Sequence, residues 1–143
     1  MMNEEVRRIM TKNPVTVHPD QSISEVSNIL KGNRTHHVPV VNDGILVGMV
    51  TTYDLWKQLE KGGRQENVKV RDVMNPNFIH IIPKDKVGTA AELFLDNRFH
   101  ALPVINLRGE LKGVVTSYDV LKYSYKREYT DSVVKPEIFQ ETP

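Results

Sequence analysis

Apolar residues along this chain fall into two rhythms, one alternating and one helical, and the same succession of rhythms occurs twice. The β-branched runs PVTV (14–17) and FIHII (78–82), each closed by a proline, predict short strands. Ser22 with Glu25 is a capping-box signature ahead of Ile23, Val26, Ile29 and Leu30, which share one helical face, and Gly32 is the expected stop. In the second copy Asp85 is the expected cap of a helix carrying Val87, Ala90, Ala91 and Phe94. HVPVV and ALPVI predict apolar strands. Asn42-Asp43-Gly44 and Asn106-Leu107-Arg108-Gly109 predict hairpin turns, and ILVGMVT and ELKGVVT predict the returning strands. A helix follows each, from about Thr52 and about Ser117.

The letters repeat along with the rhythm. Val6, Arg7, Met10, Asn13 and Pro19 are matched by Val70, Arg71, Met74, Asn77 and Pro83, and Arg34, His36, Pro39 and Val40 by Arg98, His100, Pro103 and Val104. One extra residue in the second turn shifts the register, after which Gly48, Thr51, Tyr53 and Asp54 meet Gly113, Thr116, Tyr118 and Asp119. Each copy is β-α-β-β-α, and one unit of about 60 residues buries too little surface to stand alone. The expected architecture is an α+β fold of two such repeats packed with pseudo-two-fold symmetry. Repeat 1 with its linker occupies 1–64, repeat 2 occupies 65–125, and the tail 126–143 has no clear period.

Composition narrows the function. Nineteen Lys and Arg against eighteen Asp and Glu give a net charge of +1, which argues against a duplex nucleic-acid binder. Near-zero charge and few aromatic residues also disfavour a single-strand binder. Without cysteine there is no disulfide, thiolate metal site or thiol nucleophile. No secretory signal and no apolar run of membrane-spanning length is found, so a cytoplasmic protein without membrane partners is expected.

The repeated Thr51-x-x-Asp54 and Thr116-x-x-Asp119 read in two ways. Each is a helix-capping box, or each places a hydroxyl by free helix N–H groups, where phosphate binds, with a carboxylate one turn on for a ribose. Gly48 and Gly113, inside strands, mark the close approach of another group. His36 and His100 are either structural histidines or ligand contacts. His36-His37 lack a third ligand spaced for zinc. Arg34 and Arg98 serve a helix dipole or a phosphate. Tyr53 and Tyr118 pack on a sugar or cover the sheet edge, and Trp56 belongs to core or interface.

Two copies carrying His-x-x-Pro-Val, a hairpin and Gly-h-h-Thr-x-x-Asp (h apolar) resemble a tandem pair of cystathionine-β-synthase (CBS) domains, a Bateman module, over about residues 4–124. The resemblance implies a non-catalytic regulatory or sensor module that binds AMP, ADP, ATP or S-adenosylmethionine as ligand, with no required cofactor, in two clefts between the repeats. It implies that Thr51, Tyr53 and Asp54 face Asn77, Phe78, Ile79 and His100 in cleft one. Thr116, Tyr118 and Asp119 would face Asn13, Pro14, Val15, His36 and His37 in cleft two. Asp would hold ribose and Thr phosphate, and Phe78, in place of a proline, would alter or fill the base pocket of cleft one. Cleft two, with the second histidine, is therefore expected to bind tighter.

The resemblance also implies a homodimer, for which Leu55, Trp56, Leu59, Val120 and Leu121 offer apolar helix surface, and action on a separate effector protein or through the tyrosines Tyr123, Tyr125 and Tyr129. No catalytic motif stands out, so the chain is not expected to be an enzyme. The competing reading is a protein–protein interaction module with no nucleotide ligand.

Overall fold

The computed structural model describes residues 2–97 and 100–129. The elements run β1 (Thr11–Lys12), α1 (Ile23–Asn33), β2 (His37–Asn42), β3 (Ile45–Thr51), α2 (Thr52–Lys61), α3 (Val70–Val73), α4 (Val87–Asn97), β4 (Ala101–Ile105), β5 (Leu111–Thr116) and α5 (Ser117–Glu128), with single 3-10 turns at Val6–Arg8 and Gln65–Asn67. The predicted helical faces are the buried ones: Ile23, Val26 and Leu30 on α1, and Val87, Ala90 and Phe94 on α4. Each face packs on an antiparallel hairpin, β2–β3 or β4–β5, and both hairpins carry a register shift at the equivalent place, Val40/Val41 and Val104/Ile105. The hairpin tips meet: Leu46 donates its N–H to the Gly109 carbonyl (2.9 Å), and Leu111 donates to Gly44 (3.3 Å).

The runs PVTV and FIHII are not full strands. Each makes one parallel bridge, Val17 to Val40 and Ile81 to Val104. Pro14 has no N–H to give a ladder, and Asn13 before it turns the chain with a φ of 51°. Only Val17 and Ile81 reach the hairpin, donating to the Pro39 and Pro103 carbonyls and accepting from Val41 and Ile105.

The two halves exchange their lead-in segments. Strand β1 pairs with β5 of the other repeat (Thr11 with Val114, Lys12 with Gly113), and Asn75 bridges Met49 on β3. Val6 donates to the Asp85 carbonyl (2.7 Å) and Val70 to the Gln21 carbonyl (2.8 Å), so each segment docks beside the opposite repeat's first helix. Val6 is accordingly part of the core with Ile81, Leu102 and Val115, while Val70 belongs with Val17, Val38 and Val50. This exchange explains the strand glycines. A Cβ on Gly48 would lie 2.7 Å from the Met74 sulfur, and one on Gly113 would lie 2.7 Å from both the Met10 sulfur and the Thr11 carbonyl oxygen. The close neighbour is the protein's own exchanged segment, not a ligand.

Two local expectations are corrected. Helix α1 runs through Gly32, and its left-handed terminal residue is Arg34 (φ 51°), whose N–H bonds Leu30 and Lys31 carbonyls. The Asp85 carboxylate accepts the Ile82 N–H (2.8 Å) in the turn before α4, as the Gln21 side chain accepts from His18 (2.7 Å), because each lies one position ahead of the capping place. Helix α5 runs to Glu128, and Tyr125 stacks on Tyr129 with centroids 5.2 Å apart. The rest of the tail, Thr130–Pro143, and Arg98 lie outside the described residues.

Candidate functional site: two clefts between the repeats

Both repeated Thr-x-x-Asp motifs form reciprocal caps. Thr51 Oγ1 accepts the Asp54 N–H (3.2 Å) while Asp54 Oδ2 accepts the Thr51 N–H (2.8 Å) and hydroxyl (3.0 Å). In the second copy, Thr116 Oγ1 accepts from Asp119 (3.1 Å) and Asp119 Oδ2 from the Thr116 N–H (2.9 Å). The chain therefore enters each helix from its strand in a fixed direction, and the adjacent N–H of Thr52 or Ser117 donates to the His36 or His100 carbonyl (both 2.9 Å). In both boxes Oδ2 makes the cap, which leaves the half-buried carboxylate a second oxygen, Oδ1, to accept from elsewhere.

Two clefts open at these helix starts, each walled by both repeats. The larger, about 550 Å³, is lined by Thr51, Thr52 and Tyr53 on one side, Asn75, Asn77, Phe78 and Ile79 on another, and by Met49, His36, His37, His100, Ala101 and Pro103. The smaller, about 300 Å³, is lined by Thr11, Pro14, Val15, Asn33, Thr35, His37, Pro39, Val114 and Thr116. Among the residues singled out from sequence, Thr51, Tyr53, Asn77, Phe78, Ile79 and His100 line cleft one, and Thr116, Pro14, Val15 and His37 line cleft two. Asp54, Asp119, Asn13 and Tyr118 do not line either wall. The carboxylates sit behind the threonines they cap, and Asn13 is spent on the backbone turn.

The histidines are distributed differently from the sequence expectation. His36 faces cleft one rather than cleft two, and His37 touches both, so three imidazoles surround the larger cleft. The physical reason is that β2 opens at its first residue, His37, at the junction of the clefts, where the repeat-equivalent residue is Ala101. Phe78 does not fill cleft one: its ring meets His80 edge-on (centroids 6.1 Å apart), and the cleft stays the larger of the two. Burial holds His37 below the ordinary histidine value of 6.5; the neighbouring His36 and His100 push the same way, and Asp119 pulls against them. Among the described residues no group of three or more side chains is arranged to hold a metal ion.

Residues missed from sequence are Met49, Thr52, Asn75, Ala101 and Pro103 in cleft one, and Thr11, Asn33, Thr35, Pro39 and Val114 in cleft two. Thr11 and Asn75 belong to the exchanged segments, and only the strand glycines signalled that something passed there.

Hairpins, exchanged segments and paired clefts define a tandem repeat built around ligand-sized openings. The profile of the CBS domain matches residues 6–55 and 70–126, and the chain belongs to that family. Protein MJ1225 of Methanocaldococcus jannaschii is 30% identical over 132 residues, 85% of this chain and 47% of that protein. Its crystal structure, described as that of a candidate archaeal homolog of g-AMPK, superposes with a TM-score of 0.78, covering 86% of this chain and 48% of that one. CBSX2 of Arabidopsis thaliana in complex with AMP has a TM-score of 0.77 at 28% identity, covering 87% of this chain and 98% of that one. The CBS domain pair of MJ0100, in complex with 5′-methylthioadenosine and S-adenosyl-L-methionine, has a TM-score of 0.76 at 28% identity, covering 87% and 98%. The chain spans about half the length or less of the first curated relatives it matches. Among the described residues no helix is long and apolar enough to cross a membrane.

Proposed function

We propose that this protein is a non-catalytic, cytoplasmic sensor that binds an adenosine-containing ligand reversibly between its repeats and passes the occupancy to a partner protein. The observation that carries this reading is cleft one. An apolar wall at Phe78 and Ile79 suits a base, the Thr52 hydroxyl and the Tyr53 N–H at the start of α2 suit a phosphate, and three imidazoles stand nearby. The free Oδ1 of Asp54, one turn behind Thr51, suits a ribose hydroxyl. AMP, ADP, ATP and S-adenosylmethionine are the candidate ligands, and the complexes of CBSX2 and MJ0100 support the class. A thermal-shift panel of these compounds tests it: a ligand at a hundred times its dissociation constant adds about 2.7 kcal/mol of stability. Chromatography of the recovered ligand should show it unchanged.

The alternative, an interaction module without nucleotide, is favoured by one observation: the motif's threonines and aspartates are already engaged in caps. Silence across the whole adenosine panel would establish that alternative. Either way a homodimer is expected through α2 and α5. The proposed stripe divides, however: Leu55 and Val120 are core, while Trp56 (55% exposed), Leu59 (56%) and Leu121 (68%) remain at the surface.

A further inference from the structure

Resting on the reading above, we infer that the two clefts are coupled through His37, a residue common to both walls, whose imidazole serves two anionic ligands at once. Among the described residues lining either cleft, His37 is the one shared by both. The pseudo-symmetric place in the second repeat holds Ala101, which has no polar group, so no second imidazole doubles the service. A neutral imidazole donates from one nitrogen and accepts at the other; an imidazolium donates from both. While the ring is neutral, a phosphate in one cleft takes its only N–H and leaves a second phosphate facing a bare ring nitrogen. Once the ring is protonated, each cleft is offered a donor and a share of positive charge.

The surroundings set which state prevails. The titratable groups acting on the ring are His36 on the same chain segment, His100 just ahead of β4, and Asp119 on α5, while β3 and α2 present Thr51, Thr52 and Tyr53. Burial and the two histidines favour the neutral ring, and among the described residues Asp119 opposes them. The clefts should therefore work against each other at neutral and alkaline pH, and that antagonism should fade on acidification.

Titration calorimetry with AMP on the full chain at pH 8.0 and pH 5.5 tests this. Val15→Glu and Ile79→Glu, at half-exposed equivalent positions of the two repeats, block one cleft each and supply the single-cleft affinities. The wild-type chain at pH 8.0 should bind its second AMP about tenfold more weakly than the matching single-cleft variant does, the worth of one charge-assisted hydrogen bond. At pH 5.5 the deficit should shrink to about threefold or less. In His37→Gln, whose amide does not titrate, the deficit should be the same at both pH values, and any protonation of AMP itself cancels in that comparison. Additive binding at pH 8.0, an equal pH dependence in His37→Gln, or AMP binding to only one of the two single-cleft variants would overturn the coupling while leaving a nucleotide-binding protein. Absence of heat from AMP in every chain would remove AMP from the proposed ligands and the coupling with it.

Discussion

Gly113 stands so close to Met10 that a β-carbon on the glycine would lie 2.7 Å from the methionine sulfur, and equally close to the Thr11 carbonyl oxygen. Met10 can rotate, but the Thr11 backbone is held in β1 against β5. Gly113→Ala should therefore lower stability by about 1–3 kcal/mol, as overpacking does. Gly48→Ala should cost less, since its nearest neighbour is the flexible end of Met74 and the Asn75 carbonyl lies farther off at 3.2 Å. Urea denaturation of the two variants checks the order.

Thr51→Ala and Thr116→Ala should each cost about 1 kcal/mol without any ligand, by removing the acceptor for the Asp54 or Asp119 N–H. Asp54→Asn keeps an oxygen to accept from Thr51 and should retain most of that stability. If the carboxylate holds a ribose, Asp54→Asn weakens AMP binding by about tenfold, which corresponds to about 1.4 kcal/mol. Comparing urea midpoints with calorimetric affinities separates the cap from the contact.

Cleft one is expected to be the tighter site, the reverse of the order read from the sequence, because His36 and His100 join His37 there. Ile79→Glu should abolish the stronger of two AMP-binding events, and Val15→Glu should spare it. Loss of the stronger event with Val15→Glu would restore the original order.

The position of His37 also makes stability depend on pH. Its folded pKa lies below the unfolded value near 6.5, so the unfolded chain takes up the proton first. That contribution to stability is complete above pH 6.5 and is lost as pH falls through and below that value. Urea midpoints measured between pH 8.0 and 5.5 should fall, and His37→Gln should flatten the slope. AMP at saturating concentration should flatten it too, since a nearby phosphate favours the protonated ring.

Trp56→Arg and Leu121→Arg should leave the fold intact and convert a dimer to a monomer in light scattering, because both side chains are exposed on helices whose inner faces are already satisfied by Leu55 and Val120. Wild-type protein that is monomeric at high concentration would reject the dimer.

The repeat, the hairpins and the buried helical faces were legible because periodicity and turn letters are local signals. Ile23, Val26 and Leu30 needed no tertiary knowledge to be placed inward. Pro14, preceded by Asn13, was a local signal against a full strand in PVTV, but it did not show that Val17 would keep a single bridge. Val6 and Val70 carried a repeat signal but no sign that each would cross to the other core, since partner choice over that distance leaves no mark beyond the two glycines. In the site, Thr51 and Thr116 were found from their spacing. His37 was placed on one cleft only because its double exposure arises where the two repeats meet.

The crossing of lead-in segments has a consequence for the order of assembly. Thr11 finds its partner Val114 more than a hundred positions downstream, so β1 emerges from synthesis long before there is a strand to receive it. The core around Val17 and Val70 closes over a shorter stretch and can form first, leaving Val6 and Met10 apolar and unsheltered until the second hairpin arrives. Pairings of such long separation slow folding and leave the waiting chain prone to aggregation. The same crossing latches the two halves once it is made, so the finished molecule should open as one cooperative unit rather than repeat by repeat.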